Sequence, residues 1–160
     1  MICTLVGQCS KTGTKLFIAQ NGGQPDGHFR PFHLDHAIVY HPFCDDFGPF
    51  NISATIHFIK LLDDEIRACA DASCKQCVLS VADGKRSLSN AAALLGSYLI
   101  LKADMTPTQV AAGFAGIKQD LLENFRDATH MPADFGLTLR DVWGGLYRGK
   151  QCGWIDRPAC

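Results

Sequence analysis

No uncharged apolar run in this 160-residue sequence is long enough to cross a membrane; the longest, Ala91 to Leu101, falls well short of the about 18 residues a span needs. Met1 to Cys9 lacks both the basic start and the long apolar stretch of a secretory leader, so no targeting signal is expected. Positive charge is not in excess either. Fifteen Lys and Arg stand against sixteen Asp and Glu, giving a net charge of -1 and a pI near 6.6, which argues against nucleic acid or an anionic membrane as partner. The eight cysteines are too few for a disulfide-built scaffold, which carries about 8–10% of them. They are expected to be mostly reduced, hence a cytoplasmic or nuclear protein. What remains is a globular composition: 47% hydrophobic and 19% charged residues, with a mean hydropathy of +0.03, exclude disorder and fit one domain with its own core.

Short apolar runs separated by turn formers occupy the first forty residues. Ile2–Val6, Lys15–Gln20 and Ala37–Tyr40 read as strands, with a loop at Asn21-Gly22-Gly23 and Pro25-Asp26-Gly27. From Pro49 the period changes, and Ile52, Ile56, Ile59, Leu62 and Ile66 predict a helix to about Cys69. Gln76–Val81, uncharged and rich in branched residues, reads as a buried central strand. Helices are then predicted over Ser87 to about Ala103, from Thr106-Pro107 to about Ala115, over Ile117–Glu123, and through Leu139, Val142, Trp143 and Leu146. The small residues Ala91, Ala92, Ala93, Gly96 and Ser97 are expected to let their helix lie close on the sheet.

Val78 to Ala93 carries the chemistry. A strand ending at Ser80, a short loop with Gly84, and Arg86-Ser87 opening a helix would aim amides and a helix N-terminus at an anion. Ser80 and Arg86 are six positions apart, the interval by which tyrosine phosphatases separate a nucleophilic cysteine from the arginine that cradles phosphate. None of the eight cysteines has an arginine six positions later. A serine in that place stays neutral where a cysteine would ionise, and Asp83 is expected to set a repelling carboxylate inside the loop. The sequence thus names no catalytic residue, and Ser80 marks a degenerate nucleophile position. Ser80, Gly84, Arg86 and Ser87 are the candidate phosphate-binding residues.

The surrounding sequence resembles the N-terminal half of the cell-division-cycle-fourteen type of dual-specificity phosphatases. The resemblance is carried by Val39-Tyr40 leading to Asp46-Phe47-Gly48-Pro49-Phe50-Asn51, by Gly84-Lys85-Arg86 to Asn90-Ala91-Ala92, by Thr106-Pro107 with Phe125-Arg126-Asp127-Ala128, and by Leu137-Thr138-Leu139-Arg140-Asp141. It covers about residues 14–157. It implies a first, degenerate copy of a tandem phosphatase fold, which packs on a second copy that holds the cysteine chemistry and helps shape the groove for the substrate peptide. That second, catalytic domain is absent from the 160 residues, which are expected to form a single domain. The expected fold is α/β, a degenerate tyrosine-phosphatase-like domain whose central, mostly parallel sheet is flanked by helices on both sides. The expected function is non-catalytic: binding a protein partner, such as a phosphatase catalytic domain, or a phosphorylated segment. The alternatives are a phosphatase active only with a separate catalytic domain, and a structural oligomerisation module.

Other motifs have plainer readings. Asp46-Phe47-Gly48 spells a kinase magnesium motif, but no glycine loop, strand lysine or His-Arg-Asp run accompanies it, so Asp46 is expected to accept amides at a turn above a packed Phe47 or Phe50. Cys74-x2-Cys77, with Cys69 nearby, has half a zinc spacing and is read as core filling. His28, His33, His36 and His41, with Asp35, are read as surface groups; no metal or cofactor is expected. Trp143 and Tyr147, four apart on a helix, and Trp154 are candidate anchors for a protein partner, with core packing the competing reading for the first two. Lys60, Lys85, Arg126 and Arg140 read as solvated charges.

Overall fold

Alternation of apolar and polar residues builds an edge hairpin first. In the computed structural model, which describes residues 1–34, 36 and 38–155, strand β1 (Ile2–Gln8) pairs antiparallel with β2 (Lys15–Gln20). Strand β3 (Arg30–Phe32) follows, then helix α1 (Ile52–Asp71), strand β4 (Gln76–Val81) and helix α2 (Lys85–Leu101). Helix α3 (Pro107–Gly113), a 3-10 turn at Gln119–Leu121, the short strands β5 (Phe125–Arg126) and β6 (Gly136–Leu137), and helix α4 (Leu139–Gln151) complete the chain. The main sheet has the order β1-β2-β4-β3. Both pairings of β4 are parallel, which makes the sheet mostly parallel as expected, with an antiparallel edge at β1.

The register sets Leu16 beside Cys77 and Ile18 beside Leu79, with Phe32 on Leu79's other side, so these five share one face. They join a single core with Phe58, Ile59 and Leu62 of α1, the buried residues of α2, Val110 of α3 and Trp143 of α4. Ala19 and Val78, on the opposite face, are buried but lie outside that core. The 21–29 loop reaches this second side, where the Gln76 amide donates to the Asp26 carbonyl at 2.8 Å. The sheet is flanked by helices, and they build its core from one face where both were expected.

Several boundaries differ from expectation for local reasons. α1 begins at Ile52 because Asn51 caps it, its carboxamide oxygen accepting from the Ala54 amide at 2.9 Å. Residues 38–40 form no strand, and Ala37 lies outside the described residues; the third strand of the sheet is Arg30–Phe32. Residues 117–123 make only the 3-10 turn. Residues 88 to 101 of α2 are buried without a break, and at Gly96 the small surface admits the α4 indole of Trp143, which presses on the helix there.

Candidate functional site

The β4-α2 loop is held by its own backbone and one neighbour. The buried Gln20 side chain donates to the Ala82 carbonyl at 2.6 Å and to the Gly84 carbonyl at 3.0 Å. Gly84 takes φ of +110°, a conformation that costs a side chain dearly and glycine little. The loop delivers Arg86 and Ser87 into the first turn of α2, and Ser87 donates to the Asp83 carbonyl at 3.3 Å. Ser80, Arg86 and Ser87 line one cavity of about 480 Å³, with Tyr40, Phe47, Phe50, Val81 and Asn90 among its other walls. Three of the four candidate phosphate-binding residues are therefore gathered together, and Gly84 caps the helix behind them.

Arg86 is not free in that cavity. Its Nε donates to Glu123 at 2.8 Å and its Nη2 to Asp45 at 3.0 Å, while the guanidinium lies over the Phe47 ring, 5.3 Å from its centroid. The Glu123 hydrogen bond, above all, pushes the guanidinium still higher than its usual value. Glu123 is set in place by Ser89, whose hydroxyl donates to the Glu123 carbonyl and accepts from its amide, both at 2.9 Å. Asp45 is shared: its second oxygen accepts from Arg126 Nη1 at 2.9 Å. Arg126 itself is bound to Phe47 by a pair of backbone hydrogen bonds at 2.7 and 3.0 Å. It is thus a paired, half-buried group and not the solvated charge expected.

Two carboxylates consequently answer the two guanidiniums, and Asp46 adds a third. Asp46 accepts from the Tyr40 hydroxyl at 2.5 Å and from the amides of Phe43 at 2.6 Å and Cys44 at 2.8 Å, which hold its carboxyl below the ordinary carboxylate range, the Tyr40 bond foremost. It is the turn-closing aspartate expected, above a fully buried Phe47. Asp83, expected inside the cradle, is exposed instead and meets Asn21 when that amide is turned to donate. The carboxylates beside Arg86 are thus Asp45 and Glu123 rather than Asp83. Asp45 and Glu123 lie 41 and 37 positions before and after Arg86, too far for a local motif to flag them.

The remaining candidates separate clearly. Trp143 is buried, its indole N–H donating to the Ala93 carbonyl at 3.4 Å and its ring against Phe114, so it is a core residue rather than a partner anchor. Tyr147 is half-buried against the same core, and Trp154 stands 78% exposed. Cys69, Cys74 and Cys77 are buried, and the Cys74 thiol donates to the His28 and Gln76 carbonyls at 3.3 Å; burial, above all, pushes the Cys77 thiol well above its usual value. His33 Nδ1 lies 3.2 Å from the Ser80 carbonyl. Asp35, of the histidine cluster, lies outside the described residues. Among the described residues no group of three His, Cys, Asp or Glu is disposed to hold a metal ion.

The family model for the N-terminal half of dual specificity protein phosphatases matches residues 15–149. The tyrosine-protein phosphatase CDC14 of Saccharomyces cerevisiae is 35% identical over 125 residues, 78% of this chain and 22% of its own length. Its Schizosaccharomyces pombe homolog is 33% identical over 133 residues, 82% of this chain and 24% of its own length. Human dual specificity protein phosphatase CDC14A is 27% identical over 156 residues, 95% of this chain and 26% of its own length. The chain thus spans about a quarter or less of the length of the relatives it matches.

Proposed function

We propose, from the premise that this chain belongs to the family of N-terminal halves of dual-specificity protein phosphatases, that it is a non-catalytic domain serving protein dephosphorylation by binding and positioning a protein partner. The observation that carries this reading is the double engagement of Arg86 by Glu123 and Asp45. A dianion entering the cavity meets a guanidinium already neutralised, with Asp46 close by. At 39% exposure of the Arg86 side chain such pairs add little stability, about 0–1 kcal/mol each, so their consequence is the charge they cancel. Ser80 brings no ionisable nucleophile. The partner is a phosphatase catalytic domain or a phosphoprotein, met through protein contacts rather than through its phosphate.

Exposed apolar side chains supply the material for such contacts: Phe43 at 88%, Met131 at 72%, Phe135 at 63% and Trp154 at 78%. A cytoplasmic or nuclear setting agrees with the seven described cysteines, all free thiols. No helix of the described residues is long and apolar enough to cross a membrane. The test is an assay of phosphate release from p-nitrophenyl phosphate and from phosphotyrosine and phosphoserine peptides by the purified protein. No release above the uncatalysed rate is expected, and turnover that Ser80→Ala abolishes would overturn the reading.

A further inference from the structure

The cavity beside Arg86 contains one polar group that the packing leaves unanswered. Asn90 is 6% exposed, and its carboxamide oxygen has no hydrogen-bond partner. It sits one turn beyond Arg86 on α2 and lines the same cavity. A buried carboxamide is a donor and an acceptor at once, and leaving it unpaired is costly, so such groups are normally satisfied by protein or by a ligand. Ile38, Val39, Phe50 and Val81 give the cavity an apolar side, next to the polar groups of His33, Ser80 and Ser87. Tyr40 stands edge-on to Phe47 and to Phe50, with centroids 6.1 and 6.4 Å away, and Val81 closes the β4 side. At about 480 Å³ the space falls within the about 300–1,000 Å³ of ligand sites.

The charges decide what class of group fits. Arg86 is matched by Asp45 and Glu123, so it brings the cavity no surplus of positive charge, and the unpartnered polar group among the lining residues is the neutral amide of Asn90. An anion gains nothing there and would face Asp46 across the cavity. A wholly apolar group would leave Asn90 unpaired. The complement is an uncharged ring whose single hydroxyl both donates and accepts. The geometry points to this cavity as a socket for an uncharged phenolic side chain, a tyrosine presented by a protein partner, whose ring packs against the wall of Tyr40, Phe50 and Val81 and whose hydroxyl meets the Asn90 carboxamide. This rests on the partner-binding reading above and gives its surface a specific anchor. The place whose spacing suggests a phosphate cradle thereby selects the side chain without its phosphate.

The test is a titration of the isotopically labelled protein with N-acetyl-tyrosinamide, N-acetyl-phenylalaninamide and N-acetyl-phosphotyrosinamide, followed by amide chemical shifts. Saturable shifts are expected at Val81 and Asn90 with the tyrosine probe. Affinity for the phenylalanine probe should be about tenfold weaker, the scale of one buried hydrogen bond, and for the phosphorylated probe weaker still. In Asn90→Leu the tyrosine and phenylalanine probes should bind alike. No shift at these residues, or tightest binding of the phosphorylated probe, overturns the proposal. The wild-type comparison stands even if the variant fails to fold. Phosphate release is read separately, so failure of the socket leaves the non-catalytic reading to its own assay.

Discussion

Gly96 is the position at which α2 admits its neighbour. A methyl group there would land inside the Trp143 indole, a rigid ring that is only 2% exposed and fixed by its bond to Ala93. Gly96→Ala should therefore cost about 3 kcal/mol, of the order of 10 °C in Tm, measurable by calorimetry. A change of a few tenths would mean the two helices part easily. Asp46 makes a second prediction. Its folded carboxyl titrates below the ordinary 3.8, so its bonds are intact above that value and are lost as pH falls through the depressed folded value. Tyr40 absorbance should stay constant down to about pH 4 and change below it, and Asp46→Asn should remove that acid-dependent step. At this scale the sequence was informative wherever a residue acts through its neighbours along the chain, as Asp46 does with Phe43 and Cys44. It was silent on Asp45 and Glu123, whose role exists only once the fold brings them to Arg86.

Among the elements, β2 and β4 match their sequence pattern residue for residue, because a parallel strand buried on both sides leaves an uninterrupted apolar run. β3 has only three residues and opens Arg30-Pro31, and β5 and β6 have two each; such short strands form through partners distant in the chain and carry no period of their own. The start of α3 was legible through its cap, Thr106, while the caps of α1 and α4, Asn51 and Thr138, were not read from the sequence. Thr106 and Thr138 each close a reciprocal box, the latter accepting from the Asp141 amide at 3.3 Å while Asp141 accepts from the Thr138 amide at 2.8 Å. Thr138→Ala should lower stability by about 1 kcal/mol in urea titration, with Thr138→Ser close to wild type; equal losses in both would show that packing and not the cap is involved. Trp143 illustrates the opposite limit. Its helical spacing with Tyr147 is compatible with core or partner, and only the Gly96 notch of another helix decides for the core.

For the molecule as a whole, the α/β class and the gathering of Ser80, Arg86 and Ser87 into one cavity were legible, because strand, loop and helix follow each other without interruption. The one-sided placing of the helices was not, since strand patterns alone do not say what covers each face. Restoring a nucleophile should not restore an enzyme. Ser80→Cys is expected to yield no phosphate release above background from p-nitrophenyl phosphate, because the arginine stays committed to Glu123 and Asp45. Turnover near that of an ordinary phosphatase would place the loop in another register.

The neutralised guanidinium is tested most directly by calorimetric titration of a phosphotyrosine peptide into the wild type, Asp45→Asn/Glu123→Gln, and the same double variant with Arg86→Ala. No phosphate-dependent binding is expected of the wild type, with a gain of at least about tenfold when the two carboxylates are removed and its loss again without Arg86. Tight phosphate-dependent binding by the wild type that Arg86→Ala abolishes would contradict that neutralisation.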